Sequence, residues 1–480
     1  MHGDQSNFIK RKQITGRPVP SNHPLRYLLA ILPLLFLLSM VGCEPKDEVV
    51  TNDPNAVLRF SADTVLFDTV FVTQGSVTRR LKVYNPQKKA VRISSISLGG
   101  ANSSPYKLII NGQETPIANN LELRGQDSLY VLVRVNINPT AQNQPFLVAD
   151  SILFQTNGNQ QNVKLVAFGQ DAVFHPKGEI GNTIWAAGKP HVLLDTVLLR
   201  EGTTLTIEKG ARIFASNKAV LLINGTLKVK GTPDERVTFS GIRREPAYVN
   251  APGQWEGIRI LTASQNNTIR YADIRNTVRG LRIGNPGKGG TLVEGCAIQY
   301  AFLDGIVAFT SDVKVVNTLI NNCGQYSFGG LGGGNYEVLY STIVNYQNQL
   351  QRETPAFVVA DFIPGTDIRD QPTQLRLVNS IVYSDGSNYS NEVLLEGDLS
   401  AEVAHNILRT DAYKNTLNIN GNLLNIDPKF KDVRKHDFRL DTLSPATSAA
   451  IPLPGITKDF KGIIRGTTKP DIGAFERVID

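Results

Sequence analysis

Six short stretches decide the fold: IRYADI (269–274), VEGCAI (293–298), VVNTLI (315–320), VLYSTI (338–343), LVNSIV (377–382) and VAHNIL (403–408). Each carries an apolar residue at its first and sixth positions. The first four recur at spacings of 24, 22 and 23 residues, and the last two resume the pattern after an insertion. Leu205-Thr206-Ile207 and Leu227-Lys228-Val229, 22 residues apart and preceded by Gly202 and Gly225, extend it toward the N-terminus. A fixed period built from strand-sized pieces, with no helix-length run between them, is the mark of a solenoid. Leucine-rich repeats share the length but need a leucine and asparagine frame that is missing, and propeller blades are longer. A parallel β-helix remains, in which each coil gives short strands to three sheets and like residues stack coil on coil. Ile298, Ile320 and Ile343 should then form one column. Asn276, Tyr300, Asn322 and Asn345, each two residues past the second apolar position, predict a stacked corner where asparagine tolerates left-handed backbone. Dividing about 250 residues by the period gives about ten coils.

The composition agrees with this reading and narrows the function. The chain has 480 residues, 41% hydrophobic and 19% charged. That is too apolar for a disordered polymer and too long for one core, so two or three domains are expected. The net charge of +7 is partly a property of the leader. Residues 1–42 hold five basic groups against Asp4, and subtracting them leaves 45 basic and 42 acidic groups, or +3. Nothing in that balance points to nucleic acid. Cys43, Cys296 and Cys323 are too few for a disulfide framework, although one Cys296–Cys323 bond stays open.

Residues 1–42 read as a signal peptide. A basic stretch precedes the apolar block Tyr27–Val41, which is short for a membrane span and broken by Pro33. An uncleaved single-pass anchor is the other reading. Ser39-Met40-Val41-Gly42-Cys43 resembles the lipobox of bacterial lipoproteins, with Met40 where leucine is usual. The resemblance implies lipidation at Cys43. Lys46-Asp47-Glu48, just beyond it, is similar to the signal that sends some lipoproteins to the outer face of the outer membrane. Residues 43–57 would then be lipidated cysteine and tether.

Between residues 58 and 172 short alternating segments such as Leu81-Lys82-Val83-Tyr84 and Val163-Lys164-Leu165-Val166 predict a β-sandwich. The stretches LKVYNP and LVAFGQDA resemble immunoglobulin-like modules that precede larger domains on bacterial surface proteins. No titratable constellation appears there. A spacer is the plain reading, and loops that bind carbohydrate or protein are the other.

From Phe174 to Glu476 the chain resembles the right-handed parallel β-helix, or pectin-lyase-like, proteins. EGTTLTIEKGARIF, NGTLKVKGT and PGQWEGIRI are similar to their opening coils, and Asp427-Pro428, Ser444-Pro445-Ala446 and Asp471-Ile472-Gly473-Ala474-Phe475 to their closing segment. The fold class is thus all-β: a sandwich, a single-stranded parallel β-helix over 173–425, and a segment over 426–480 expected to cap the last coil. The family's lyases use clustered carboxylates for calcium with an Arg or Lys base, and its hydrolases use paired acids. Asp273 has Ala297, Leu319 and Thr342 as its repeat equivalents, so no carboxylate recurs there. No Asp-Asp dipeptide or Gly-His-Gly is present, and His175, His191, His405 and His436 lack metal spacing. No catalytic residue, metal site or cofactor is assigned; calcium would enter only with a lyase.

The best candidate surface is the insertion after Ile343, read as a projecting loop in which Tyr346, Asp361, Asp367, Arg369 and Asp370 could hold a ligand. Arg270, Arg275, Arg279 and Arg282 form a second, basic feature. Trp255 is expected at a coil corner, and the glycines of 329–334 in a tight turn. The functional expectation is an outer-membrane lipoprotein facing outward, whose non-catalytic β-helix contacts a polysaccharide or surface protein. A polysaccharide lyase or glycoside hydrolase of this fold is the alternative.

Overall fold

The computed structural model describes residues 49–478, apart from 142, 286–288, 347–351, 367, 370–371 and 385–389. The leader, Cys43, Asp367 and Asp370 lie outside the described residues. Among the described residues no helix is long and apolar enough to cross a membrane.

The first unit is a β-sandwich. One sheet runs in the order Val50–Thr51, Ala90–Leu98, Phe146–Thr156, Asn159–Gln170, Thr64–Phe71, with Ile117–Leu123 also paired to Ala90–Leu98. The other runs Arg59–Phe60, Arg79–Tyr84, Ser128–Val135, Tyr106–Ile110, Gln113–Thr115. Side chains alternate along each strand, so Leu81, Val83, Val131 and Val133 of one sheet meet Ile93, Ile96, Ile152 and Phe154 of the other in a single core.

Val173–His175 begins the solenoid, a parallel β-helix. Its strands fall into three all-parallel sheets of 11, 9 and 9 strands, here sheets I, II and III. The chain visits I, II and III in turn and finally adds Ile407–Leu408 and Leu423–Leu424 to sheet I. The expected column exists: Ile274, Ile298, Ile320, Ile343, Val382, Leu408 and Leu424 are successive register partners in sheet I. The first members of the same apolar pairs, Ile269, Val293, Val315, Val338, Leu377 and Val403, form a second column in sheet III. Both columns face one continuous core.

Between the two columns lies a corner that repeats in every one of these coils. Tyr271, Gly295, Asn317, Tyr340, Asn379 and His405 all have positive φ there, from 47° to 65°. The next residue is small and mostly polar, and its heteroatom accepts the equivalent backbone N–H of the coil before. Ala272 N–H points at Cys296 Sγ (3.4 Å), Cys296 at Thr318 Oγ1 (3.4 Å), Thr318 at Ser341 Oγ (3.3 Å), and Ser341 at Ser380 Oγ (3.1 Å). Ser380 and Asn406 continue the line to Asn406 Oδ1 (2.8 Å) and Asn422 Oδ1 (3.0 Å). Buried N–H groups that the sheets cannot pair are satisfied in this way. The asparagine corner expected from sequence is only partly as read. Asn276, Tyr300 and Asn322 have φ of 62°, 56° and 57°. Asn345 instead stays in the strand Thr342–Asn345, where its Oδ1 accepts Cys323 N–H at 2.9 Å.

Cys296 and Cys323 are not joined in a disulfide. One sits in the corner line and the other under Asn345, and burial pushes both thiols up to about 12.

The closing segment differs from expectation. It packs on the outer side of the last coil at Ala404 and Ile407 and from there runs back along sheet I as a strap. His405 Nδ1 lies 3.4 Å from Ala449 O, Tyr340 Oη bonds Ile451 O, Asn317 Nδ2 donates to Lys458 O at 2.7 Å, and Arg236 lies over the Phe460 ring at 4.3 Å. Arg465, 4% exposed, donates to Asn317 Oδ1 (2.7 Å), to two strap carbonyls and to Glu476 (3.1 Å). The strap shares an apolar core with Leu319, Val344 and Ile381 of sheet I and with Val316 and Leu339 at the adjoining ends of sheet III strands, to which it adds Phe438, Leu453 and Phe475. At the far end Leu417, on the chain between the last two strands, packs against the solenoid core.

At the other end His175, His191 and Trp185 stack in the first coils, with His175 Nε2 2.9 Å from His191 Nδ1. Phe71 of the sandwich meets Phe214 of the solenoid at 5.1 Å between ring centroids, and Lys189 pairs with Asp171 at 3.4 Å.

Two measurements check these features. Ser380→Ala strands the buried N–H of Ser341 and should cost about 1–3 kcal/mol in denaturant unfolding. Burial lowers the His175 pKa from 6.5 to about 4 and also lowers that of His191. The unfolded chain therefore binds protons first, so this contribution to stability is complete above about pH 6.5 and is lost as the pH falls toward 4. His175→Gln should flatten the fall in melting temperature over that window.

Candidate functional site

Of the solenoid's outer surfaces, sheet III carries an open groove of about 870 Å³. Its floor is set by the strands Val313–Val316, Gly334–Leu339, Thr373–Val378 and Leu399–Ala404, whose inward residues belong to the core. Alternation turns the residue before each inward one to solvent. Thr268, Leu292, Lys314, Glu337, Arg376 and Glu402 are therefore successive partners in one outer row. Their charges alternate and pair: Lys314 lies 3.1 Å from Glu337, and Arg376 lies 3.7 Å from Glu337 and 2.8 Å from Glu402. Beside them Asn335 Nδ2 donates to Asp312 Oδ1 at 2.8 Å. Exposed pairs of this kind add little stability, but they fix where hydrogen-bonding groups stand.

The groove leads to a second recess of about 440 Å³, lined by Asp361, Arg369, Pro372, Thr373, Gln374, Asp398 and Ser400. Gln374 and Ser400 line both. Asp361 is 9% exposed; its Oδ2 pairs with Arg369 and accepts Asp398 N–H at 3.0 Å. Its Oδ1 and the Oγ1 of Thr373 are buried without a hydrogen-bond partner. Gly397, at φ 90°, leaves the space that this carboxylate fills, since a Cβ there would meet Asp361 Oδ1.

Two of the five residues proposed from sequence thus come together, Asp361 and Arg369, with Arg369 also over the Phe362 ring at 5.2 Å. Asp367 and Asp370 fall outside the described residues. Tyr346 is a correction: it is 4% exposed and packs on Phe430 and Phe438 of the strap, so it presents no ring to a ligand. The insertion is likewise no single projecting loop. It contains the regular sheet II strand Phe357–Ala360, and the extra residues fall on either side of that strand in the sequence. Arg352 within it serves the core, pairing at 2.6 Å with Glu392, which is fully buried.

The four arginines read as a basic feature are dispersed around the coil and partnered. Arg270 pairs with Glu294 (3.0 Å), Arg279 with Asp304 (2.9 Å), Arg275 bonds Asn250 Oδ1 (3.0 Å), and Arg282 lies over Phe309 (5.0 Å). Trp255 is 1% exposed and donates its indole N–H to Arg275 O at 2.9 Å. Gly329 to Leu331 are strand, and the turn is confined to Gly332 and Gly333. His436 Nδ1 accepts from Asn322 Nδ2 at 3.0 Å and lies 2.8 Å from Tyr300 Oη. Among the described residues no three His, Cys, Asp or Glu side chains are grouped so as to hold a metal ion.

Sequence reasoning missed the groove. Its signal was present: the residue just before each first apolar position reads Lys314, Glu337, Arg376, Glu402.

No protein family matches the chain, and no curated protein matches it in sequence. Three solved structures with which it aligns are a catalytic domain of a GH87 α-1,3-glucanase in complex with nigerose, a family 123 glycoside hydrolase from Clostridium perfringens, and a PapD-like domain of human CEP192. The first is 10% identical over 74% of this chain and 78% of that one, with a TM-score of 0.17. The second is 7% identical over 24% of this chain and 25% of that one (TM-score 0.18), and the third 11% over 24% and 86% (TM-score 0.17). At such scores none of them carries an argument about this chain.

Arg352→Met should destabilise the protein by about 3–5 kcal/mol in equilibrium unfolding, because it removes the cation from the fully buried Glu392 and leaves that carboxylate only the Ala356 N–H and the Ser384 hydroxyl.

Proposed function

We propose that this protein is a lipid-anchored protein of the bacterial outer membrane, facing outward, that uses sheet III to bind an extended polysaccharide or a surface protein without cleaving it. The immunoglobulin-like sandwich acts as the spacer between Cys43 and the solenoid. The single observation that supports a binding role best is the outer row of sheet III. Its carboxylates, Glu337 and Glu402, are each tied to a cation within 4 Å, so the groove presents a fixed run of donors and acceptors in place of a carboxylate poised for chemistry. Strands stack about 4.8 Å apart, which lays this run along the solenoid axis as a linear ligand requires.

One observation favours the alternative, a glycoside hydrolase or lyase. In the adjoining recess Asp361 keeps an unpartnered oxygen beside Asp398 and Arg369. Under the binding reading the same atoms, with Thr373 Oγ1, take a ligand's hydroxyls.

Residues 44–480 incubated with neutral and acidic polysaccharides, with and without calcium, separate the two. Retention of a polysaccharide with no new reducing or unsaturated ends is the expected outcome, and release of either kind of end overturns it. Lys314→Ala with Arg376→Ala should weaken retention at least about 10-fold, the equivalent of about 1.4 kcal/mol, while leaving the melting temperature within about 2 °C.

A further inference from the structure

The sandwich carries a charge pattern unlike the rest of the molecule. On its Arg59–Gln113 sheet the inward residues fill the core, so alternation turns Arg59, Arg80, Lys82, Lys107 and Arg134 outward. Lys82 pairs in register with Tyr130 and Arg59 with Tyr84, and Lys107 faces Arg134. The only carboxylate at an outward strand position of this face is Glu114, on the far edge strand Gln113–Thr115. None of the five cations has a carboxylate within 4.0 Å among the described residues, whereas on sheet III Lys230, Arg270, Lys314 and Arg376 are each paired with a glutamate. Two exposed rings complete the face: Lys82 Nζ lies 4.8 Å from the Tyr84 centroid, and Arg80 lies 5.1 Å from that of Tyr130.

A face with five unneutralised cations is costly to hold together unless something negative meets it. Tyrosines among cations are what a bilayer interface accepts, because the rings sit at headgroup depth while the charges meet phosphates. The position of the face along the chain adds to this. Only five residues lie between Cys43 and Val49, a reach of about 20 Å over the six steps, and Arg59 is in the first strand of this sheet. We infer that the Arg59–Gln113 face of the sandwich lies against anionic lipid headgroups, so that the domain is laid on the membrane as well as tethered to it. The inference rests on the lipid-anchor reading of Cys43. A second contact of this kind complements acyl chains, which hold more firmly when joined by a basic patch.

Residues 44–480, which retain every described residue and lack the anchor, isolate the face. They should co-sediment with vesicles of phosphatidylethanolamine containing about 30% phosphatidylglycerol at about 0.1 M salt, and not with phosphatidylcholine vesicles. Arg80→Glu with Lys82→Glu and Lys107→Glu should weaken that binding at least about 30-fold. Lys228→Glu with Lys414→Glu and Lys469→Glu, an equal change of charge elsewhere, should leave it within about 3-fold. If charge reversal on the sandwich impairs folding, the glutamine substitutions at the same three positions take its place. Equal losses in both variants, no binding by the unaltered protein, or tighter binding to soluble polygalacturonate than to the vesicles each overturn the inference, the last in favour of an anionic glycan. Lipidation is scored separately, from the mass of the N-terminal peptide recovered from cell membranes. An unmodified Cys43 removes the anchor while leaving the vesicle result standing.

Discussion

The solenoid depends on its turn from sheet III into sheet I. There the chain must bend sharply within two residues while staying buried, which puts one residue in left-handed backbone and leaves the next N–H without a sheet partner. Every coil from Tyr271 to His405 meets both demands in the same way. A residue that tolerates positive φ comes first, and a small residue follows, which from Cys296 onward carries a heteroatom that accepts an N–H from the coil before. An unmet buried N–H costs about 1–3 kcal/mol, so the line of corner contacts from Cys296 to Asn422 decides whether stacking is favourable at all. The apolar columns supply the bulk of the burial, but they would tolerate a slip along the axis. The corner would not.

Much of this was legible in the sequence because a solenoid repeats its environment. Ile298, Ile320 and Ile343 see the same neighbours, so the same residue type returns at the period and the column can be read directly. The corner was half legible: asparagine two residues past the apolar position was noted, but the stronger signal lay between the apolar pair, in Tyr271-Ala272, Gly295-Cys296, Asn317-Thr318, Tyr340-Ser341 and Asn379-Ser380. Mixed residue types hid it. Tyrosine and histidine are there because the strap covers their rings, and that partner lies far away in sequence. Tyr346 was misread for the same reason. An aromatic residue at the edge of a long insertion suggests a ligand platform until Phe430 and Phe438 arrive to bury it.

The three outer surfaces have different fates, and that is what singles out the groove. Sheet I is covered by the strap. The later coils of sheet II are covered by Phe362, Ile363 and Tyr326, packed over Val307, Leu331 and Val358. Sheet III over the same coils keeps long strands and an uncovered polar row. Its charged residues are spaced by the coil repeat, so the pattern it offers is periodic along the axis. The Asp361 recess breaks that periodicity at one end and gives the groove a direction.

The strap also closes a surface that the coils leave open. Each coil of a solenoid contacts only its neighbours, so the three sheets can pair without it. Val316, Leu319, Leu339, Val344 and Ile381 nevertheless stay bare on the flank until residues beyond 430 arrive to lie on them. A chain halted or clipped before that point would carry a long greasy flank and self-associate. The final stretch is in this sense a latch: without it the flank that it covers is open to other copies.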